Sequence, residues 1–451
     1  MKPGASQLGI LGAGLTLALG IPAAALAQAD IPANPQAPDR ASNTDQQDSA
    51  DSEEGDLTVN TLLDDQLTSE LHDDTTILRT IGVPTTDSSG KVLLDALRFW
   101  LGGTVQYDNY NMDGLYSHDA DGDRESGTAM RRLEGTLRAQ LFEWGEVKAQ
   151  FDFDQAFFRD LYLRWVARED REPVTITLGQ QKEPMGLDTL VGNKFGIAQE
   201  PGAPVHAFGR WRSLGIRLHK SFELKSEERK FNYWEGDSAF MTTSLGVFTE
   251  DLKEANDTEL AVTGRVTAGR RRQDVGEHVA VSFSYREGDF YRISMRPEIQ
   301  HAERITLARP QANTLGILAV EGAYNNGPLH LQTEIFATDY GGRVDGNGAG
   351  AYFLAGWFLT GETRNYQPKW GILAPHTPLR AFSAEIFARV SHTRGDDDSN
   401  GWNDFKSLTL GGNLYYRKLR ASLNILHGQT REAIDSQDQG LALNLRLQYF
   451  F

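Results

Sequence analysis

From Arg98 to the C-terminus, apolar and polar residues alternate with a period of two. Over 131–142, Leu133, Gly135, Leu137, Ala139 and Leu141 interleave with Arg132, Glu134, Thr136, Arg138 and Gln140. Over 147–154, Val147, Ala149, Phe151 and Phe153 alternate with Lys148, Gln150, Asp152 and Asp154. The final run sets Leu441, Leu443, Leu445, Leu447, Tyr449 and Phe451 against Ala442, Asn444, Arg446, Gln448 and Phe450. Successive strand side chains point to opposite faces, so each run predicts a strand with one greasy and one wet face.

Seventeen such segments are legible, near 99–108, 131–142, 147–154, 160–167, 174–180, 213–220, 240–248, 260–268, 279–286, 290–299, 317–324, 329–337, 350–360, 380–391, 406–416, 419–427 and 440–451. The segment 290–299 is the weakest, because it ends in Arg296-Pro297 and proline removes a ladder donor. Setting it aside leaves sixteen, and a barrel with both termini on one side needs an even number.

The alternation alone also fits a soluble sandwich. Three features favour a membrane barrel instead. The runs are about 9–12 residues, the length of a tilted spanning strand. The wet faces carry charges of both signs. Aromatic residues gather near strand ends (Tyr107, Tyr110, Trp144, Trp165, Tyr415, Tyr416, Tyr449, Phe451), where interfacial girdles sit. The expected fold is all-β, a single transmembrane antiparallel up-and-down barrel of 16 strands, with 18 as the alternative, over 95–451. Hydrocarbon cannot satisfy backbone N–H and C=O groups, so the sheet closes, and sixteen strands leave an aqueous channel. Glu143-Trp144-Gly145-Glu146, Asn325-Asn326-Gly327-Pro328 and Arg417-Lys418 read as tight turns. Residues 109–130, 181–212, 287–316, 338–349, 393–405 and 428–439 read as long polar loops, with 181–212 and 287–316 folded inward as the constriction.

Composition narrows the field further. The formal charge is −17, which argues against a nucleic-acid binder. The mean hydropathy of −0.45 excludes a helical membrane bundle. There is no cysteine, hence no disulfide framework, thiolate metal site or cysteine nucleophile. Residues 1–27 read as a signal peptide: Lys2, an apolar run from Leu8 to Leu19, then Pro22 before Ala25-Leu26-Ala27. Residues 28–94 read as an acidic, mostly disordered periplasmic segment, in which Leu63, Leu67 and Leu71 hold the spacing of a short helix over 57–81. Eleven carboxylates and no Lys or Arg fall within 45–74, so residues 75–451 carry only −6.

Several motifs in order resemble the phosphate-selective porin O and P family. Leu101-Gly102-Gly103, Arg131-Arg132 and Lys148-Ala149-Gln150-Phe151-Asp152 resemble its first three strands. Leu178 to Asp188 (LGQQKEPMGLD) is similar to its strand entering the constriction loop, and Leu359 to Tyr366 (LTGETRNY) to its characteristic turn. Leu408 to Tyr416 (LTLGGNLYY) and the terminal Leu447-Gln448-Tyr449-Phe450-Phe451 fit its last strands. The resemblance implies a sixteen-stranded homotrimer in the outer-membrane lipid, passing small anions past an arginine ladder to a lysine-rich narrowing. It puts Arg132, Lys148, Lys194 and Arg296 at matching cationic positions. Thr104 stands at a ladder arginine, Glu134 and Lys182 at constriction tyrosines, Thr189 at a central lysine and Arg159 at an aspartate. Those departures leave phosphate specificity outside what the resemblance implies.

Anion passage needs fixed positive charge where low-dielectric walls focus the field. Arg132, Arg138, Lys148, Arg164, Lys182, Lys194, Arg292, Arg296 and Arg304 fall on predicted lumen faces or inward loops and are the candidate anion-binding residues. With 33 arginines to 12 lysines, planar multidentate contacts are favoured. Glu134, Asp152 and Asp154 share the lumen face, which keeps a general or weakly cation-preferring porin open. A barrel enzyme or adhesin is the third reading, although no nucleophile–base pair is nominated. Asp119-Ala120-Asp121-Gly122-Asp123 imitates a calcium loop, but Arg124 and Met130 break the pattern. No metal, cofactor or nucleic acid is expected. The solutes are small anions or other small molecules.

Overall fold

The computed structural model describes residues 76–86, 92–119, 121–141, 145–167, 174–192, 194–224, 238–250, 252, 259–272, 274–290, 292–374, 381–397, 401–431 and 437–451. The stretch read as a signal, the acidic segment up to residue 75 and the turn residues 143–144 lie outside these.

The first half supplies β1 (Thr76–Thr86), β2 (Val92–Met112), β3 (Glu125–Leu141), β4 (Gly145–Asp152) and β5 (Phe157–Ala167). After them come β6 (Val174–Lys182), β7 (Arg212–Glu223), β8 (Ser238–Thr249), β9 (Leu260–Arg272) and β10 (Val275–Phe290). A small hairpin, β11 (Ile293–Met295) with β12 (Ile305–Ala308), precedes β13 (Gln311–Asn326), β14 (Leu329–Val344) and β15 (Gly346–Phe358). A second hairpin, β16 (Asn365–Gln367) with β17 (Ile372–Ala374), precedes β18 (Phe382–Asp397), β19 (Gly401–Tyr416), β20 (Leu419–Arg431) and β21 (Gln437–Phe450).

Each main strand pairs antiparallel with its neighbour, and β2 pairs β21 to close a 16-strand barrel. At the seam, Gly103 and Phe451 exchange backbone hydrogen bonds of 2.8 and 3.2 Å. A Cβ on Gly103 would sit 2.2 Å from the Phe451 ring, so the seam needs glycine there. Beyond the seam, the free edge of β2 is covered by β1, whose Thr76–Thr86 pair with Val92–Leu101. Leu63, Leu67 and Leu71, which carry the helical spacing read over 57–81, lie outside the described residues, and within that range Thr76 to Ile81 is strand. The barrel strands match the sixteen sequence segments. The segment set aside, 290–299, contributes only β11, in an inward hairpin outside the barrel sheet.

Alternation lands as the period predicts. On β5, Leu161, Leu163 and Trp165 face outward, and Asp160, Tyr162 and Arg164 face inward; Leu163 is 41% exposed and Arg164 3%. Two girdle candidates turn inward instead. Tyr415 donates to Glu385 (3.1 Å), and Tyr110 stacks on His301 with centroids 4.4 Å apart. Three expected loops also prove to be strand. β14 and β15 meet across Asp345 alone, so 338–349 is a hairpin, and 393–405 and 428–439 are mostly paired extensions. There both strand faces meet water, so sequence polarity mimics a loop.

Loops L3 (183–211) and L5 (292–310) do fold inward. L3 carries α1 (Leu187–Val191) and α2 (Ala203–Phe208). The backbone N–H groups of Leu187 and Asp188 each donate to Glu334 of β14 at 2.8 Å. Ala203 N donates to Glu298 of L5 at 2.9 Å, and Glu298 also accepts from Ser407 and Thr409 and pairs with Arg389 at 3.0 Å. Glu298 holds φ at +62°, a costly value for a non-glycine residue that these contacts impose. Glu200 bridges Arg131 and Arg446, both at 2.8 Å. The third inward element is the hairpin β16–β17, on the 359–381 connection. That connection starts from the end of the barrel that holds the termini and the short turns, an origin the sequence reading missed.

Burial pushes both anchoring carboxyls up, but their cations outweigh it. Arg131 and Arg446 hold Glu200 well below the ordinary range, and Arg389 with hydroxyl and amide donors lowers Glu298. A carboxyl lowered in the folded state contributes stability above its unfolded pKa and loses it as pH falls through the folded value. Single-channel conductance is therefore expected to stay constant from about pH 8 to about pH 5 and turn noisy only below about pH 4. Glu298→Ala leaves Arg389 buried without its carboxylate, at a cost of about 3–5 kcal/mol, and is expected to bring the same noise at pH 7. An onset near pH 6 in the unaltered chain would contradict this anchoring.

Candidate functional site

With L3 anchored on β14, on β3 and on β18–β21, open space remains against the wall from β3 to β9. A cavity of about 240 Å³ lies there. Arg132 and Arg138 reach it from β3, Lys148 from β4, Arg159 and Arg164 from β5, and Lys182 from β6. Arg212 and Arg217 reach it from β7, Arg265 from β9, and Lys194 from L3. Ten cationic side chains thus line it against two carboxylates, Glu134 and Asp160. Strand geometry makes this possible: residues two apart share a face, so outward Leu214, Ile216 and Leu218 force Arg217 and His219 inward.

Part of this charge is balanced locally. Glu134 pairs with Arg132 and Arg159, both at 2.6 Å. Asp160 pairs with Lys148 at 2.9 Å and Arg212 at 2.6 Å. Behind the lining, Asp152 holds Arg159 (2.8 Å), Glu146 holds Arg164 (3.3 Å) and Glu321 holds Arg265 (2.7 Å). Among the described residues, Lys182 and Arg217 bond only to backbone carbonyls, those of Leu190 (2.8 Å) and Lys182 (3.3 Å). The Nε–H of Arg217 is buried and has no acceptor among them. Among the described residues, these five carboxylates thus meet the ten cations of the lining.

Six of the nine candidate cations come together here: Arg132, Arg138, Lys148, Arg164, Lys182 and Lys194. Arg292, Arg296 and Arg304 do not line the cavity. They sit on the L5 hairpin, where Arg292 reaches Thr306, Arg296 the Gln300 carbonyl and Arg304 Ser294. Arg159, Arg212, Arg217 and Arg265 were missing from the candidate set. Arg217 and Arg265 occupy inward positions of correctly read strands, so the alternation held the signal. Arg212 precedes the segment read as 213–220. Thr189 is wholly buried in α1 and does not line the cavity.

Near the other end, the hairpin β16–β17 closes on the same wall. Arg265 donates to the Gly371 carbonyl (2.8 Å), and His219 stacks on Trp370 with centroids 4.5 Å apart. Among the described residues, no group of three or more His, Asp or Glu could hold a metal ion.

A family model described as "Phosphate-selective porin O and P" matches residues 99–451. No curated protein sequence matches the chain. Solved structures of similar form include a loop L8 deletion mutant of OmpT, an outer membrane protein of Vibrio cholerae. It is 10% identical over 79% of this chain and 100% of that one, with a TM-score of 0.49. An anion-selective porin from Comamonas acidovorans is 12% identical over 79% and 100%, at 0.45. The outer membrane channel DcaP of Acinetobacter baumannii is 8% identical over 81% and 99%, at 0.42. The family match spans more than three quarters of the chain. This protein therefore belongs to the phosphate-selective porin O and P family: it is an outer-membrane porin, a channel for small solutes.

Proposed function

We propose that the channel prefers anions, and that Arg132, Arg138, Lys148, Arg164, Lys182 and Lys194, with Arg159, Arg212, Arg217 and Arg265, set that preference. The observation that carries this is the excess of cations over carboxylates in the lining. At a constriction little water remains to screen them, so the excess acts on every passing ion. The guanidinium forks suit carboxylate and phosphate oxygens, and the lysines act as point charges. Arg292, Arg296 and Arg304 form a second, more exposed basic group on L5 that draws anions toward the cavity. The −6 charge of residues 75–451 does not oppose this where Glu134, Asp152 and Asp160 are bound to wall cations and Glu334 to L3. We also propose that the chain is exported through a signal cleaved after Ala27 and works as a homotrimer, as the family resemblance implies.

Reversal potentials across a potassium chloride gradient test the preference. An anion-selective sign is expected. Arg217→Gln is expected to lower the chloride-to-potassium permeability ratio about tenfold, since a unit charge about 6 Å from the ion is worth about 0.7 kcal/mol in water, with opposite sign for the two ions. A cation-selective sign in the unaltered chain would replace this proposal with the general-porin reading. For assembly, chemical cross-linking in detergent is expected to stop at three protomers; a product that stops at one contradicts the trimer.

A further inference from the structure

The cavity has two chemically different walls. The barrel side presents nine of the ten cations, the tenth being Lys194 of L3. The opposite side presents Leu190, Val191 and Phe195 of L3 with Trp370, Ile372 and Leu373 of the hairpin. This apolar side is built rather than incidental. Leu187 of α1, Tyr366 of β16 and Leu373 of β17 form one buried cluster, with Val191 packed against it. An extracellular loop and a periplasmic hairpin thus meet inside the barrel and make a single greasy surface. Trp370 is held in it by the stack on His219, whose ring also bonds the Lys369 carbonyl at 3.1 Å. Only 9% of Trp370 is exposed, yet its indole N–H has no acceptor among the described residues. On the basic side, Arg164 lies 4.8 Å over the Tyr162 ring, which adds an aromatic face there too.

An inorganic oxyanion gains nothing from such a wall, because apolar surface removes water without replacing its hydrogen bonds. An anion with an apolar body gains on both sides. Its carboxylate meets a guanidinium fork of the barrel wall, while its hydrocarbon covers the loop wall. We infer that the favoured solutes of this channel are organic anions with an apolar body, an aryl carboxylate being the simplest, in preference to free inorganic phosphate. The inference rests on the anion-preferring reading above and adds the solute class to it.

The test is chloride current through single channels in a planar bilayer, with benzoate, acetate or inorganic phosphate added in turn. Benzoate is expected to reduce the current at about one tenth the concentration that acetate requires, the factor expected from covering part of one ring face. Phosphate is expected to block no better than acetate. Leu190→Asn and Ile372→Asn change half-buried residues on separate segments, so one remains informative if the other disturbs folding. Each is expected to bring benzoate and acetate to within about twofold, a ratio read in one channel and so insensitive to altered pore width. Equal block by benzoate and acetate in an anion-selective channel overturns this inference and leaves the anion preference standing, as does strongest block by phosphate. Benzoate block that both variants leave intact overturns the assignment to this wall. A cation-selective reversal potential overturns both.

Discussion

Within a bilayer, the only partner available to a strand's N–H and C=O is the neighbouring strand. That constraint closes β2 onto β21 through Gly103 and Phe451, and the rest of the molecule follows from it. A closed sheet of period two must show lipid one stripe and water the other. The inward stripe therefore carries charge at a density that a packed protein core would not tolerate. The charged residues then have to be sorted among ion pairs, loop anchors and open water.

The sorting is uneven around the barrel. Across β10 to β21, the inward acids Glu321, Glu334 and Glu385 are used as fasteners, on Arg265, on L3 and on Arg364. Glu298 and Glu200, carried by the loops themselves, complete the attachment through Arg389, Arg131 and Arg446. Removing either partner of such a buried pair leaves an uncompensated charge, so the loops are held firmly. From β3 to β9 the wall carries more cations than acids among the described residues, and L3 and the hairpin leave an open cavity against it. Position of charge, and not the chain's total of −17, decides what an ion meets inside.

The sixteen strands were legible because outward Leu133, Leu163 or Leu447 and inward Arg132, Arg164 or Gln448 obey a period that local geometry enforces. Where water bathes both faces that signal vanishes, which is why 338–349 read as a loop although β14 and β15 pair there up to Tyr340 and Gly346. The candidate site was legible in part. Four of its cations, Arg132, Arg138, Lys148 and Arg164, followed from alternation, and Lys182 and Lys194 from reading 181–212 as an inward loop. The contribution of Trp370, Ile372 and Leu373 was not, because the hairpin that carries them reaches the cavity through contacts with α1 and with Arg265, distant in sequence. Pairing between Glu298 and Arg389, or Glu200 and Arg446, is likewise a matter of tertiary reach that no local pattern encodes.

The absence of cysteine from the chain allows the central claim to be read directly, by placing single cysteines and timing their modification by water-soluble thiol reagents of opposite charge. With Arg217→Cys in the lumen, the anionic reagent is expected to react faster than the cationic one and to change the single-channel current. With Leu163→Cys on the opposite stripe, neither reagent is expected to react while the barrel is in lipid. Rapid modification at Leu163→Cys, or a faster cationic reaction at Arg217→Cys, would contradict an outward greasy stripe around a positively charged pore.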